Sequence, residues 1–370
     1  MNETEILSWR PRLRDSLVVE QAGSELQFIS TSDRRVKRFA ASRTVFQLIP
    51  LLDGSHTVAD LIERVCDGSE EEVVQVCSAL VKMRQEMLLS KVSNLREQRG
   101  TLSVDQLDLY DRQIRLFQEF CDSGLVEYSL GLEAQERLAS STVLVCGIGG
   151  LGSVVASSLA AAGVGNLILC DDDIVERSNL TRQIMYSIDD IGKGKVDALA
   201  GRISSFNPHV CVTPERRRIE SSWDVADLAR ASDIVINCAD DPSIAEMAEI
   251  VTEACWPDTP HIIGGGYSYH AGILGLLVIP RVTACWHCLL AEVGREHGRD
   301  RTTTFVAKSR SAGIMGAQSG MIGNMISWEA VRYLIGMQAA LSGRWVELDY
   351  GPMSFNERMI PRRADCQWCA

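Results

Sequence analysis

A glycine-rich turn placed between a strand and a helix is the feature that most constrains the fold of this chain. Residues 142–146 have the apolar character of a short buried strand, and the apolar, alanine-rich residues 151–162 predict a helix. Glycines in such a turn let backbone N–H groups approach phosphate oxygens, and the start of the helix favours negative charge. These elements predict a Rossmann-like α/β domain that binds a nucleotide. The glycines concerned are Gly147, Gly149, Gly150 and Gly152.

The residues after the next strand decide between nucleotides. Residues 167–170 predict a strand that ends at Asp171, where this kind of fold holds a ribose hydroxyl. An acid at this position can bind the ribose of NAD as well as that of ATP. However, Arg182 and Lys195 follow it, and an NAD-dependent dehydrogenase gains little from two cations placed there. A triphosphate carries about four negative charges and requires cations, which together with Mg²⁺ stabilise attack on the α-phosphate. We therefore expect ATP and Mg²⁺ at a site that includes Asp171, Arg182 and Lys195. The same stretch of sequence contains three further candidate binding residues, Asp173, Asn179 and Gln183.

Two pairs of cysteines have the spacing of metal ligands. The pairs are Cys285 with Cys288 and Cys366 with Cys369, and together they offer four thiolates to a tetrahedral Zn²⁺. A thioredoxin-like redox motif would explain one such pair but not two. We expect a structural zinc site that pins the last residues onto the domain, with His287 as a bystander.

Composition excludes several other classes of protein. The net charge of −12 argues against a general nucleic-acid binder, which needs a basic face. No signal-like apolar segment begins the chain, and no window approaches the roughly 18 apolar residues of a membrane span. We expect a cytoplasmic protein with reduced cysteines. Eight single cysteines are expected to be small buried apolar residues: Cys66, Cys77, Cys121, Cys146, Cys170, Cys211, Cys238 and Cys255.

Residues 1–90 predict a separate, winged-helix-like α+β module. Two short strands, 16–21 and 26–30, flank Gly23, and three helical blocks follow at 44–52, 57–66 and 70–88. Thr57 is the expected N-cap of the second block, with Asp60 in its first turn. The polar residues 91–106 predict a linker, and residues 107–370 form the second domain, beginning with a helix over 107–121. In the third block the expected apolar face is Val73, Val74, Cys77, Leu80, Val81 and Met87.

Four motifs together resemble the MoeB/ThiF/E1 superfamily of adenylating enzymes. They are GIGGLG at 147–152, the DDD to SNLTRQ stretch at 171–183, GKGK at 192–195 and YDRQI at 110–114, and the resemblance covers about residues 107–290. It implies that Asp171 binds ribose and that Asn179, Arg182 and Lys195 bind the triphosphate, with Gln183 in the same loop. It also implies a homodimer in which Arg112 serves the neighbouring subunit's ATP. The two cysteine pairs match the superfamily's structural zinc ligands.

The acid after a later strand, Asp240, matches the residue that supports Mg²⁺ and the reaction. Taken singly, Arg182 or Lys195 would be a surface charge, Asp240 a turn residue and Arg112 a helix-surface arginine. The superfamily pattern also continues with an asparagine and an arginine. This chain instead has Asp240-Asp241-Pro242, which resembles the branch of MccB-type enzymes, as do residues 261–288.

The N-terminal module resembles the PqqD-like modules that recognise leader peptides, with LLDGSHTVADLI at 51–62 as the core of the likeness. A DNA-binding winged helix is the alternative. It is weakened by the acidic cluster Asp67 and Glu70–Glu72 and by the lack of a dense basic helix. The resemblance implies a precursor peptide as the partner, held by its leader as an added strand.

Residues 291–320 correspond to the crossover loop that carries the thioester cysteine of E1 enzymes, and they contain no cysteine. We therefore expect no covalent thioester there. The loop is rich in arginine, threonine and glycine, and it is either a segment that closes over the acyl chain or a disordered surface loop.

Three functions remain open. The first is ATP-dependent adenylation of a carboxyl group on a ribosomally made precursor peptide, as in MccB- and PaaA-type enzymes. The second is activation of the C-terminal Gly-Gly of a sulfur-carrier protein. The third is a non-catalytic scaffold that binds a leader peptide, against which the retained Asp171, Arg182, Lys195 and Asp240 argue. Pyrophosphate exchange that depends on a peptide, on a carrier or on neither distinguishes them.

Overall fold

The computed structural model describes residues 3–94, 100–297 and 313–369. The chain divides into two compact units, Met1–Glu136 and Arg137–Ala370. These units are compact in space, whereas the boundary predicted at residue 90 separates two functional domains. The predicted boundary therefore stays a prediction.

The first unit combines a three-stranded antiparallel sheet with short helices. The sheet has the order β1-β2-β3, and its third strand was not predicted, because its two charged residues, Lys37 and Arg38, are adjacent and break the alternation typical of a strand. The buried core beneath the sheet includes Phe28, Leu48, Leu61 and Val76. The elements are α1 (Glu3–Ser8), β1 (Leu17–Ala22), β2 (Glu25–Ser30), β3 (Val36–Ala40), α2 (Arg43–Leu48), α3 (Val58–Val65), α4 (Glu70–Gln85), α5 (Val104–Leu109), α6 (Asp111–Asp122) and α7 (Gly131–Ser140), the last of which crosses into the second unit.

The predicted start of α3 is confirmed. The Thr57 hydroxyl accepts a hydrogen bond from the Asp60 amide at 3.1 Å, and the Asp60 carboxylate accepts one from the Thr57 amide at 2.9 Å. This reciprocal capping box satisfies two of the amides that a helix start leaves unpaired.

The predicted apolar face of α4 is right for Leu80, which is buried, and in part for Val73 and Cys77, which are half-buried; it is wrong for Val74, Val81 and Met87. The buried residues are Val76, Leu80 and Met83, whereas Val74 and Val81 are more than half exposed. Both sets recur at helical spacing, so the periodicity could not choose between them. Packing against the sheet made the choice.

The helix predicted over 107–121 is two helices, α5 and α6, which meet at Tyr110. Helix α5 begins inside the predicted linker, where Ser103 caps it. Helix α6 is tied to earlier residues by Asp122, whose carboxylate accepts hydrogen bonds from the Lys91 amide at 2.7 Å and from Gln118 at 3.0 Å. Burial raises the pKa of Asp122. These bonds explain why α6 belongs to the first compact unit.

The second unit is built on a nine-stranded mixed sheet, as the Rossmann-like prediction requires. The strand order is β12-β11-β10-β8-β7-β4-β5-β6, and β9 pairs with β10. The strands from β8 to β6 are parallel, and β10, β11 and β12 are antiparallel additions. The elements are β4 (Thr142–Cys146), α8 (Gly150–Ala161), β5 (Asn166–Cys170), α9 (Lys195–Phe206), β6 (Cys211–Glu215), α10 (Ala226–Arg230), β7 (Ile234–Asn237), α11 (Ile244–Cys255), β8 (His261–Ile263), β9 (Gly266–Ser268), β10 (Ala271–Val278), α12 (Trp286–His297), α13 (Gly316–Leu334), β11 (Arg344–Asp349) and β12 (Ser354–Met359).

The register of the parallel strands brings three loops to one edge of the sheet. Cys146 at the end of β4 lies opposite Cys170 of β5 and Asn237 of β7. The carboxyl ends of these strands are therefore level, and the residues that follow them converge. This is where ligands bind in open α/β sheets.

The burial of the single cysteines differs from the prediction in one clear case. Cys211 is exposed, because it opens β6, which lies at the edge of the sheet formed by the described residues. The other single cysteines are buried or half-buried. Within the described ranges, no helix combines the length and the apolar character needed to cross a membrane.

His261 predicts a pH dependence of stability. It is completely buried at the start of β8, with Nδ1 3.0 Å from the Thr259 carbonyl oxygen, and burial lowers its pKa from 6.5 to about 4. Between these pH values the unfolded chain binds a proton that the folded protein excludes. The free energy of unfolding should therefore fall by about 3 kcal/mol as the pH drops from about 6.5 to 4.

Denaturant unfolding at several pH values measures this effect in the wild type and in His261→Gln. The glutamine cannot titrate, so its unfolding free energy should depend less on pH in this window. Identical pH dependence in the two proteins would show that His261 is not the responsible group.

Candidate functional site

The glycine turn lies at the level edge of the sheet, and the close approach of backbone explains its composition. Gly147 has φ +82°, and a Cβ there would lie 2.6 Å from the amide nitrogen of Ala239. A Cβ on Gly152 would lie 1.8 Å from the Gly147 carbonyl oxygen. Neither position can accept a side chain, and the turn therefore places the first amides of α8 at the open end of β4.

Asp171 follows β5 and is fixed by two backbone amides. Its Oδ2 accepts a hydrogen bond from the Ile148 amide at 2.6 Å, and its Oδ1 accepts one from the Asp173 amide at 2.8 Å. Burial raises the pKa of Asp171, and the charge of Lys195 acts in the opposite direction. The carboxylate is thus held rigidly beside the glycine turn, as a ribose-binding group would need to be.

Lys195 is a buried cation at the start of α9. Only 5% of the residue is exposed, and its Nζ lies 2.6 Å from Oδ2 of Asp173, whose side chain is mostly exposed. A buried ammonium is costly unless it is paired. The structure therefore places Asp173 as the partner of Lys195 at the rim of the site.

Asn179, Arg182 and Gln183 come together through a 3-10 turn over Arg177–Thr181. The buried Asn179 accepts a hydrogen bond from the Glu176 amide at 3.1 Å, and its carbonyl oxygen accepts the amides of Arg182 and Gln183. Gln183 is 3% exposed, and its Oε1 has no hydrogen-bond partner among the described residues. Its Nε2 faces Gly149, 3.7 Å from where a Cβ would stand.

Helix α13 supports this loop from outside the predicted site. The Ser319 hydroxyl donates to the Arg182 carbonyl oxygen at 3.1 Å, and Ser319 is completely buried. A Cβ on Gly316 would lie 2.8 Å from Ile184, so this glycine allows the helix to begin directly against the loop.

Asp240 lies in the segment that directly follows β7. Its side chain is exposed and lies close to Tyr267. Tyr267 was not among the residues predicted from the sequence. Its hydroxyl forms a hydrogen bond with Arg182, and its pKa is raised first by burial and then by Asp240. The structure thus gathers the predicted glycines, Asp171, Asp173, Asn179, Arg182, Gln183, Lys195 and Asp240 at one edge. Arg112 is exposed on α6 of the first unit, where it pairs with no described residue, and its role stays a prediction.

Arg218 is a second residue that the sequence did not reveal. It follows β6, and its guanidinium lies 3.0 Å from Asp241 and 3.8 Å from Asp172. A cation therefore lies beside the Asp240-Asp241 pair although the superfamily's arginine is missing there. No local motif could have shown this, because Arg218 and Asp241 come from different strands.

The carboxylates of Asp171, Asp172 and Asp173 lie within 4.8 Å of one another, close enough to hold a metal ion, but each also has a protein partner. Asp171 accepts two amide hydrogen bonds, Asp173 pairs with Lys195, and Asp172 faces Arg218. Each carboxylate already has a partner.

The four paired cysteines form one buried cluster. Sγ of Cys285 lies 3.9 Å from Cys288 and 3.6 Å from Cys366, and Sγ of Cys288 lies 3.4 Å from Cys369. Zinc–sulfur bonds of about 2.3 Å in a tetrahedron place sulfurs about 3.8 Å apart, so the four thiols fit a zinc ion. His287 stacks on Trp368 and lies outside this set of four sulfurs.

A comparison with known families decides the identity of the fold. The sequence profile of the ThiF family matches residues 110–368. The chain belongs to the ThiF family. Its relatives include the SAMP-activating enzyme E1 of Haloferax volcanii, 33% identical over 272 residues that cover 73% of this chain and 92% of the relative. The molybdopterin-synthase adenylyltransferase of Escherichia coli is 29% identical over 72% of this chain and 98% of its own length.

Solved structures extend the likeness to nearly the whole chain. E. coli MccB, solved with AMPCPP and MccA, superposes with a TM-score of 0.74 and 16% identity, covering 97% of this chain and 99% of its own. PaaA gives a TM-score of 0.71 and 21% identity, covering 94% and 99%. At these identities the likeness shows the fold alone.

The resemblance predicted from the motifs is thereby confirmed, and this ThiF-family protein is an ATP-dependent adenylyltransferase. Part of the crossover region, residues 298–312, lies outside the described residues, so the prediction about that loop is not examined by the structure.

Proposed function

We propose that this protein uses ATP to adenylate a carboxyl group on a ribosomally made precursor peptide. The observation that carries this proposal is the first compact unit. The family match begins at residue 110, and about a quarter of the chain lies outside the match to the H. volcanii relative. E. coli MccB, solved with the peptide MccA, is matched over 97% of this chain.

The roles proposed for the site follow from its geometry. Asp171 would hold ribose hydroxyls, and Asn179, Arg182, Gln183 and Lys195 would face the phosphates above the amides of α8. A substrate carboxylate oxygen attacks the α-phosphorus, and the bond to the bridging oxygen of pyrophosphate breaks. Asp240 would hold Mg²⁺, and that ion would neutralise charge on the phosphates. The cationic residues stabilise the charge that spreads over the phosphate oxygens during attack.

The first unit offers an open strand edge to a peptide. Among the described residues β3 pairs only with β2, so its outer backbone groups are free to bond an added strand. The strand and the turn before it carry Arg34, Arg35, Lys37 and Arg38. Arg38 is exposed and forms no ion pair with a described residue. A leader segment with acidic residues would complement this edge.

Charge reversal at β3 tests the peptide partner. Arg38→Glu should raise KM for the peptide about tenfold and leave KM for ATP unchanged, because the substitution repels an acidic leader without touching the nucleotide site. Pyrophosphate exchange is measured with a synthetic precursor peptide, once a neighbouring reading frame that encodes one is identified. Substitution is preferable to deletion of residues 1–90, because Arg14 forms an ion pair with Glu119 of α6 within the same unit.

Arg64→Glu is the matched control, since Arg64 is an exposed cation on α3 of the same unit. Equal KM values for the peptide in Arg38→Glu and Arg64→Glu would show that β3 does not bind the leader peptide.

A second function is favoured by the sequence relatives. Both enzymes named above by sequence similarity are activators of the MoeB/ThiF type, so adenylation of a Gly-Gly sulfur carrier is the alternative. Exchange that requires a carrier protein and ignores the peptide would select it. Absence of exchange with either substrate would contradict both, and would favour a scaffold that binds a leader peptide.

We further propose that the four-cysteine cluster holds a structural zinc ion and that the enzyme acts as a homodimer to which Arg112 contributes in trans. The sulfur separations support the first proposal. The exposed guanidinium of Arg112, which pairs with none of the described residues, supports the second.

A further inference from the structure

Tyr267 reaches the nucleotide site because three glycines precede it. A Cβ on Gly264, which has φ +94°, would lie 2.6 Å from the ring of Trp345, and a Cβ on Gly265 would lie 3.0 Å from Leu151. A side chain at position 265 would push the chain away from α8, and one at position 264 would collide with β11. Their absence lets β9 pass against the helix and deliver Tyr267 to the glycine turn.

The hydroxyl of Tyr267 stands between three groups of the site. It lies 3.5 Å from the point where a Cβ of Gly150 would stand, at the first residue of α8. It forms a hydrogen bond with Arg182 and is close enough to Asp240 to feel its charge. A phenol is therefore placed where phosphate-binding amides, a cation and the proposed metal-binding carboxylate converge.

The hydrogen bond between Arg182 and Tyr267 leaves the hydroxyl proton of Tyr267 available to a ligand. An arginine side chain only donates, so the phenol oxygen of Tyr267 accepts from Arg182 and keeps its own O–H. Burial, followed by the Asp240 charge, raises the pKa of Tyr267, so the hydroxyl is neutral at physiological pH. Within the described residues no hydrogen bond donated by this hydroxyl is formed.

We propose that Tyr267 is a catalytic residue whose hydroxyl donates a hydrogen bond to a non-bridging oxygen of the α-phosphate, in ATP and in the acyl-adenylate. The inference rests on the nucleotide site proposed above. As the carboxylate oxygen attacks phosphorus and pyrophosphate leaves with the bonding electrons, negative charge on that oxygen is stabilised by the phenol. Tyr267 keeps its proton throughout, and its oxygen accepts the hydrogen bond from Arg182.

Binding of AMP and adenosine tests the proposal without knowledge of the carboxyl substrate. The two probes differ only in the α-phosphate. Loss of a hydrogen bond to a charged group in Tyr267→Phe should weaken AMP binding about tenfold to a hundredfold and leave adenosine binding unchanged. Isothermal titration calorimetry of the full chain gives both dissociation constants. Tyr269→Phe, an exposed tyrosine two residues on, should bind both probes as the wild type does.

Two results would overturn the inference. Unchanged AMP affinity in Tyr267→Phe would show that the hydroxyl does not contact the phosphate. Equal weakening of AMP and adenosine would show that Tyr267 only supports the shape of the site.

An Asp171→Asn variant separates this inference from the site on which it rests. If that variant binds both probes as the wild type does, the nucleotide lies elsewhere and both proposals fail. If Asp171→Asn weakens both probes while Tyr267→Phe changes neither, only the role of Tyr267 is lost.

Discussion

Replacement of Asp240 by asparagine is expected to lower the rate of AMP formation about a thousandfold while the protein stays folded. The carboxylate is exposed, so its loss leaves no buried group unpaired. The asparagine keeps the shape but removes the charge that would hold Mg²⁺ beside the phosphates, where stabilisation of the transition state is worth several kcal/mol. Release of AMP is measured with saturating ATP and the substrate that supports exchange, together with peptide binding, which should not change.

Asp241→Asn provides the matched control. Asp241 is the neighbouring exposed carboxylate, and it pairs with Arg218 at 3.0 Å. We expect this variant to lose less than tenfold in rate, since an exposed ion pair contributes little. Equal losses in the two variants would show that net charge at this edge matters and not the position of Asp240. A wild-type rate in Asp240→Asn would remove that residue from the mechanism.

The same variant tests the proposed action of Arg112 in trans. Mixing Asp240→Asn with Arg112→Ala should restore activity, because a mixed dimer contains one site with both wild-type residues. A mixture no more active than the separate variants, in a sample shown to exchange subunits, would contradict the arrangement.

Loss of the cysteine cluster is the second large effect that we expect. The double variant Cys366→Ser/Cys369→Ser should lose bound zinc and unfold about 10 °C below the wild type. Binding of a structural zinc ion stabilises the folded state directly. Loss of about 3 to 5 kcal/mol of unfolding free energy in a unit of this size lowers Tm by about 10 °C. Metal content by elemental analysis and thermal unfolding of the full chain are the measurements.

Cys211→Ser is the control for the zinc prediction. Cys211 is an exposed single cysteine on β6, so its substitution should change neither zinc content nor Tm. Wild-type protein that holds no zinc after purification without chelators would contradict the assignment. An unchanged Tm in the double variant would show that the cluster does not stabilise the fold.

The parts of the site that are close in sequence were predictable from it. The glycine turn, Asp171 and the cations of the following loop lie within one strand–turn–helix unit and the strand after it, so their spacing carries their meaning. Asp240 was predictable only because the superfamily pattern marks the end of β7. Tyr267 and Arg218 were not predictable, since each approaches the site from a strand distant along the chain and belongs to no local motif.

Sequence by itself determined the local backbone of this protein: the turn that only glycine permits, the capping box of α3, the cysteine spacing and the family. These properties depend on each residue and its near neighbours. Tertiary structure alone decided which side of α4 is buried, where α5 ends and α6 begins, and which side chains meet at the edge of the sheet. Those outcomes depend on packing between segments far apart in the chain, where several arrangements satisfy the same local preferences and only the complete core selects one.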